Sequence, residues 1–265
     1  MVSKHPQRTG RASFIAAHPL CCYCNGRRET VEIDHAPARI CFHGKQAPEG
    51  YEFPSCSECN RAVAISEQVA AFYIRSFDLG QPELDEKAYE RLISGIVNNA
   101  PDALPRQEYT HAPARNYLAT GADVAERTVS LPDSARHHIE LFGLKVAYAL
   151  YYRATGRCAG SSNRYLVHWA QIGTEAAEMM AARADAWFDQ HVVGRRPNID
   201  LGDQFRYQTG YNPAHGYFGL KMSFSSAFSF FCVIGPAREL IKLKPRLPLC
   251  PSIYEAGKNL KKRRL

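Results

Sequence analysis

Apolar positions change period along the chain. From Glu29 to Asp34 they alternate, with Val31 and Ile33 on one side and Thr30, Glu32 and Asp34 on the other. A period of two predicts a strand, which delivers Asp34 and His35 to its end before Pro37 breaks the run. Pro48-Glu49-Gly50 reads as a turn, and Tyr51 to Phe53 as a second short strand stopped by Pro54. From Ala62 to Ile74 the apolar residues recur at helical spacing, up to Gly80. Pro82 to Asn98 predicts another helix. Its acidic start (Glu83, Asp85, Glu86) suits the positive helix end, and Leu92, Ile93 and Ile96 form its apolar face. Asn99 to Pro132 keeps no period and reads as a linker or irregular cover.

A strong helix opens at Ser134 and runs to about Arg153, with Leu141, Leu144, Ala147, Tyr148 and Tyr151 recurring at helical intervals and Gly156 as its stop. Thr174 to His191 predicts a further helix. The period then returns to two: Phe205 to Tyr211 alternates, Phe218 to Phe224 alternates, and Phe228 to Ile234 is an apolar run. Roughly three strands after helices imply an α+β fold with a small antiparallel sheet. The expected units are 1–80, a helix and linker over 81–133, and a C-terminal α+β domain over 134–265.

The chain has 265 residues, 45% of them hydrophobic and 22% charged, which suits an ordinary globular protein with a real core. No stretch approaches the ~20 apolar residues that span a bilayer, and Met1 to Pro6 has no apolar signal core behind its charge. No membrane partner and a cytoplasmic location are therefore expected. The net charge is +7, and 236–265 carries all of it: nine Lys or Arg stand against Glu239 and Glu255. A localised basic tail attracts phosphate backbones, although such runs are equally often solvated termini.

Six of the nine cysteines fall between residues 21 and 59. Cys21-x-x-Cys24 and Cys56-x-x-Cys59 form two knuckle pairs. Cys22 competes poorly, because one residue between it and Cys24 is too few for a knuckle. Four thiolates so spaced suit a tetrahedral zinc ion, in a closed site that holds the fold and performs no chemistry. The bland alternative is four buried, reduced thiols. An odd, clustered set argues against a disulfide framework.

Between the knuckles stands Asp34-His35, and Asn60 directly follows the last cysteine. Hydrolysing a phosphodiester needs an attacking water, a base and a charge-stabilising cation. Asp34 and Asn60 offer hard oxygen ligands suited to magnesium, and His35 can serve as base. A lone Asp-His is more often a hydrogen-bonded structural pair. The combined order of Cys-x2-Cys, Asp-His and Cys-x2-Cys-Asn resembles the HNH, or ββα-metal, nucleases. The nearest subset is stapled by four cysteines, as in phage recombination endonuclease VII. The resemblance covers roughly residues 18 to 75. It implies that His35 activates water and that Asp34 and Asn60 hold a catalytic Mg²⁺ or Mn²⁺. These nucleases carry a middle Asn in the loop, and none lies between His35 and Cys56, so its bracing falls to Glu52 or to backbone. Asn60 stands where the last His of the family name would be, a familiar variation.

Secondary candidates for phosphate contact are His43, Lys45, Arg39 and Arg61, with Lys261, Lys262, Arg263 and Arg264 in the tail. His137, His138, His168 and His215 have no ligand spacing. The late aromatic strands serve either base stacking or core packing, and packing is the better reading. The expected activity is an endonuclease on DNA, with RNA as an alternative substrate, working alone or as a homodimer. Two other readings stand beside it. One is a non-catalytic zinc module that docks nucleic acid or protein. The other is a defence or toxin nuclease effector regulated by a ligand or partner at its C-terminal domain.

Overall fold

The computed structural model describes residues 10–77, 86–109, 127–185, 192–193, 201–202, 204–225, 227–241 and 246–262. Helix α1 (Arg11–Ala17) leads into the first knuckle. Strands β1 (Glu32–His35) and β2 (Glu52–Ser55) pair antiparallel, with His35 opposite Glu52 and Asp34 opposite Phe53. Pro54 lies inside β2 rather than ending it. The chain turns directly into α2 (Ser57–Phe77). Hairpin and helix are thus consecutive, as the periodicity predicts, with β1 starting three residues later than the alternation suggested.

Helix α3 (Glu86–Asn99) follows, and the expected start at Pro82, with Glu83 and Asp85, lies outside the described residues. The segment read as a linker holds two paired strands, β3 (Arg106–Tyr109) and β4 (Arg127–Ser130). Then comes α4 (Asp133–Thr155), ended by Gly156, whose φ of +67° a residue with a side chain would resist. Strand β5 (Arg164–Gln171) escaped the periodicity because Tyr165 to Trp169 offers no clear alternation. Helix α5 (Glu175–Asp185) fills the described part of the expected Thr174–His191 helix.

Strands β6 (Val192–Val193), β7 (Arg206–Asn212), β8 (Tyr217–Phe224) and β9 (Phe228–Gly235) complete an antiparallel five-stranded sheet in the order β5-β9-β8-β7-β6. The one-turn α6 (Ala237–Leu240) precedes α7 (Ile253–Lys262). The protein is therefore mixed α+β with small antiparallel sheets.

Helix α4 is the centre of the molecule. Every residue from Leu141 to Tyr151 is buried, so this central stretch has no solvent face. On one side lies the large sheet, where Phe230, Cys232 and Ile234 of β9 join the main core while Phe231 and Val233 face α5 and α6. Gly143 permits that approach, since a Cβ there would stand 2.8 Å from Phe230 Cδ1. On the other side lie α2 and the first knuckle. A single buried cluster draws on residues from Cys21 to Ile253.

Helix α7 was expected only as a basic tail. It is fixed by a capping box: Ser252 Oγ accepts from Glu255 N–H, and a Glu255 carboxylate oxygen accepts from Ser252 N–H, both at 3.1 Å. Arg27 grips the same carboxylate with two nitrogens, and Ile253 N–H donates to Tyr23 O. These contacts seat α7 against the first knuckle and α2.

Candidate metal centre and the His35 site

The first knuckle turns through Asn25 and Gly26, both at positive φ. Backbone bonds from Cys21 N–H to Arg28 O and from Cys22 N–H to Pro54 O hold it against β2. The second knuckle is the start of α2, where Cys59 N–H and Asn60 N–H turn back onto Cys56. The four sulfurs of Cys21, Cys24, Cys56 and Cys59 lie within 4.8 Å of one another and are all buried. Their closeness divides the protons unevenly. The thiol of Cys21 holds Cys24 down to about 2, and the same contact pushes Cys21 up to about 12. Four soft, convergent ligands, with no fifth His, Cys or acidic side chain grouped with them among the described residues, fit a tetrahedral zinc ion. Cys22 points elsewhere, into fully buried surroundings that raise its thiol.

His35 ends β1 and is half-buried. Arg39 donates to its Nε2 at 2.9 Å, and Glu52 Oε1 lies 3.6 Å from the same nitrogen. Arginine has no lone pair to offer, so Nε2 is the acceptor and the ring proton sits on Nδ1. Burial first, then the Arg39 charge, holds His35 below the usual imidazole value; Glu52 and Asp34 pull the other way. The imidazole is therefore neutral near pH 7.

Asp34 and Asn60 are engaged by other partners. Asp34 is 8% exposed, and its Oδ2 lies 2.6 Å from Nζ of the buried Lys145. Lys145 also pairs with Glu67 of α2. Asn60 turns its Nδ2 to Glu32, at 2.5 Å. The alternation of β1 explains this: Glu32 and Asp34 share the inward face, Glu32 above the start of α2 and Asp34 deeper, toward α4. A shared magnesium ion does not fit these side chains as packed, because the Asp34 carboxylate is spent on an ammonium and Asn60 on another acid.

Comparison with known proteins found no family model, no curated protein and no solved structure that matches this chain.

Of the other predicted contacts, Lys45 is exposed on the loop at positive φ. His43 is half-buried, and its backbone N–H donates to Gln204. Arg61 is exposed and folds its Nε back to Ser57 O. Lys261 and Lys262 end α7, and Arg263 and Arg264 lie outside the described residues. Sequence reasoning missed Glu67 and Lys145, and with them Tyr23, whose ring lies 5.3 Å from the ammonium. Glu67 stands in an amphipathic helix where an acid looks solvated. A lysine amid the apolar run of α4 was the one available signal.

Proposed function

We propose that the protein is a zinc-stapled nuclease that hydrolyses phosphodiester bonds in DNA, with His35 as general base. The observation that carries the reading is His35 itself. It is a neutral, half-buried imidazole at the end of a hairpin anchored by a four-sulfur cluster, with a guanidinium on its Nε2. A neutral imidazole whose Nε2 lone pair is held only by a displaceable donor is what proton abstraction from water requires. Arg39 is exposed and can pass from that nitrogen to a phosphate oxygen, which uncovers the lone pair as substrate arrives and places a cation on the developing charge. Lys45 and the lysines of α7 supply further phosphate contacts. A divalent ion is implied by the resemblance to the ββα-metal nucleases, where it would stabilise the charge that develops on the phosphate.

The test is nicking of supercoiled plasmid with Mg²⁺ or Mn²⁺. His35→Ala is expected to abolish it by about 100-fold or more, the scale of a lost general base, with the circular dichroism spectrum unchanged. Wild-type turnover that survives in His35→Ala refutes the role. One observation favours a second reading, a non-catalytic zinc module that docks nucleic acid: the capture of Asp34 by Lys145. Wild-type protein that binds DNA but never cuts it decides for that reading.

A further inference from the structure

Helix α4 brings one charged side chain into the interior. Lys145 is 1% exposed and bridges two carboxylates from separate elements, Asp34 on β1 and Glu67 on α2. Removing an ion from water is costly, and the cost is met only by close opposite charge. Here it is met twice over, and the Tyr23 ring closes the remaining side.

Two acids converging from a strand and a neighbouring helix are the usual makings of a divalent-ion site. Magnesium, however, needs ligands at about 2.0–2.1 Å in near-octahedral array and keeps several waters. A cavity filled by a four-carbon stem and an ammonium has no room for that shell. The competitor is also covalently attached, so dilution cannot remove it.

We propose that the Lys145 ammonium is the resident cation of the Asp34–Glu67 pair, so that Asp34 ligates no divalent ion while α4 lies on α2. The lysine does at this site what a metal would otherwise do: it supplies the positive charge between the two acids and locks the end of β1 to the helical core. A divalent ion that assists at His35 has to be held without Asp34.

The inference is tested by binding rather than turnover, so its failure is distinct from failure of the nuclease reading. In the zinc-loaded full chain, the side-chain carboxyl ¹³C resonances of Asp34 and Glu67 are followed as Mg²⁺ is added. Both are expected to stay where they are, and a saturable shift at Asp34 overturns the proposal. Mn²⁺ binding, read by electron paramagnetic resonance, should be the same in wild type and Asp34→Asn; a loss of affinity of about tenfold or more overturns it, since ligand-shell changes act on that scale. Lys145→Ala, which empties the space of the stem and keeps both acids, is expected to gain a Mn²⁺ site that Asp34→Asn removes. Should that variant fold without gaining the site, exclusion by the ammonium is refuted. Should it fail to fold, the wild-type resonances still decide.

Discussion

Gly257 stands in the middle of α7, where that helix crosses the first turns of α2. A Cβ built there would lie 2.8 Å from the Ala62 carbonyl oxygen and 3.0 Å from the Ala62 Cβ. Ordinary contact begins near ~3.5 Å, so Gly257→Ala forces the helices apart by about half an ångström, enough to forfeit a quarter to a half of each lost dispersion contact. A carbonyl oxygen inside a helix cannot rotate away. Overpacking of this kind costs about 1–3 kcal/mol, and alanine returns up to ~1 kcal/mol of helix propensity. The net loss is about 1–2 kcal/mol, which in a chain of this size lowers Tm by roughly 2–6 °C. Gly160→Ala is the control: the nearest atom is Ser162 Oγ at 3.8 Å, and no change beyond about 0.5 kcal/mol is expected. Thermal unfolding followed by calorimetry on both variants reads the difference. A Gly257→Ala protein as stable as wild type would show that the crossing of α7 over α2 is not tight, and the account of how the tail helix is seated would fall.

Cys56→Ser should release zinc and unfold the hairpin with α2, since structural zinc contributes folding energy directly; metal content and circular dichroism check it, and full zinc retention counts against the four-sulfur site. Burial, with Asp34 adding to it and Lys145 opposing, raises Glu67 to about 7. The folded state then binds a proton that the unfolded state has already lost between pH 4.5 and 7, so this group's contribution to stability falls as pH rises through that window. Glu67→Gln should flatten that loss, as seen by denaturant midpoints across the window; an identical slope refutes the shift. Lys261→Gln with Lys262→Gln should lower the salt slope of DNA binding by about two, one for each phosphate contact removed. Point substitutions leave Leu260, which packs on the core, in place.

The local signals in the sequence carried well and the long-range ones did not. The cysteine spacing marks the four sulfurs that converge, and the alternation through Ile33 brings His35 to a strand end. Gly156 stops α4 where helix-ending chemistry says it should. Helix α7 was legible too, in the capping-box spacing Ser252-x-x-Glu255, although the run of basic residues after Gly257 also suits a solvated tail. Strands β3 and β4 have polar, short sequences, and nothing local distinguishes Arg106 to Tyr109 from a loop. The pairing of Asp34 with Lys145 is set by tertiary packing. Residues on one strand face and in the fourth helix meet only because β1 and α4 both pack beside α2, and no periodicity encodes that meeting.

The unbroken burial of α4 has a consequence for anyone who would borrow the cysteine-bearing hairpin. Cut away after α2, it would bare Val63, Val69, Ala70 and Ile74 to water and strand Asp34 and Glu67 beside each other with no counter-charge. It is not a cassette to be spliced onto another host. A working graft must bring the fourth helix along, and a minimal version of this protein should be sought by trimming surface strands before touching that spine.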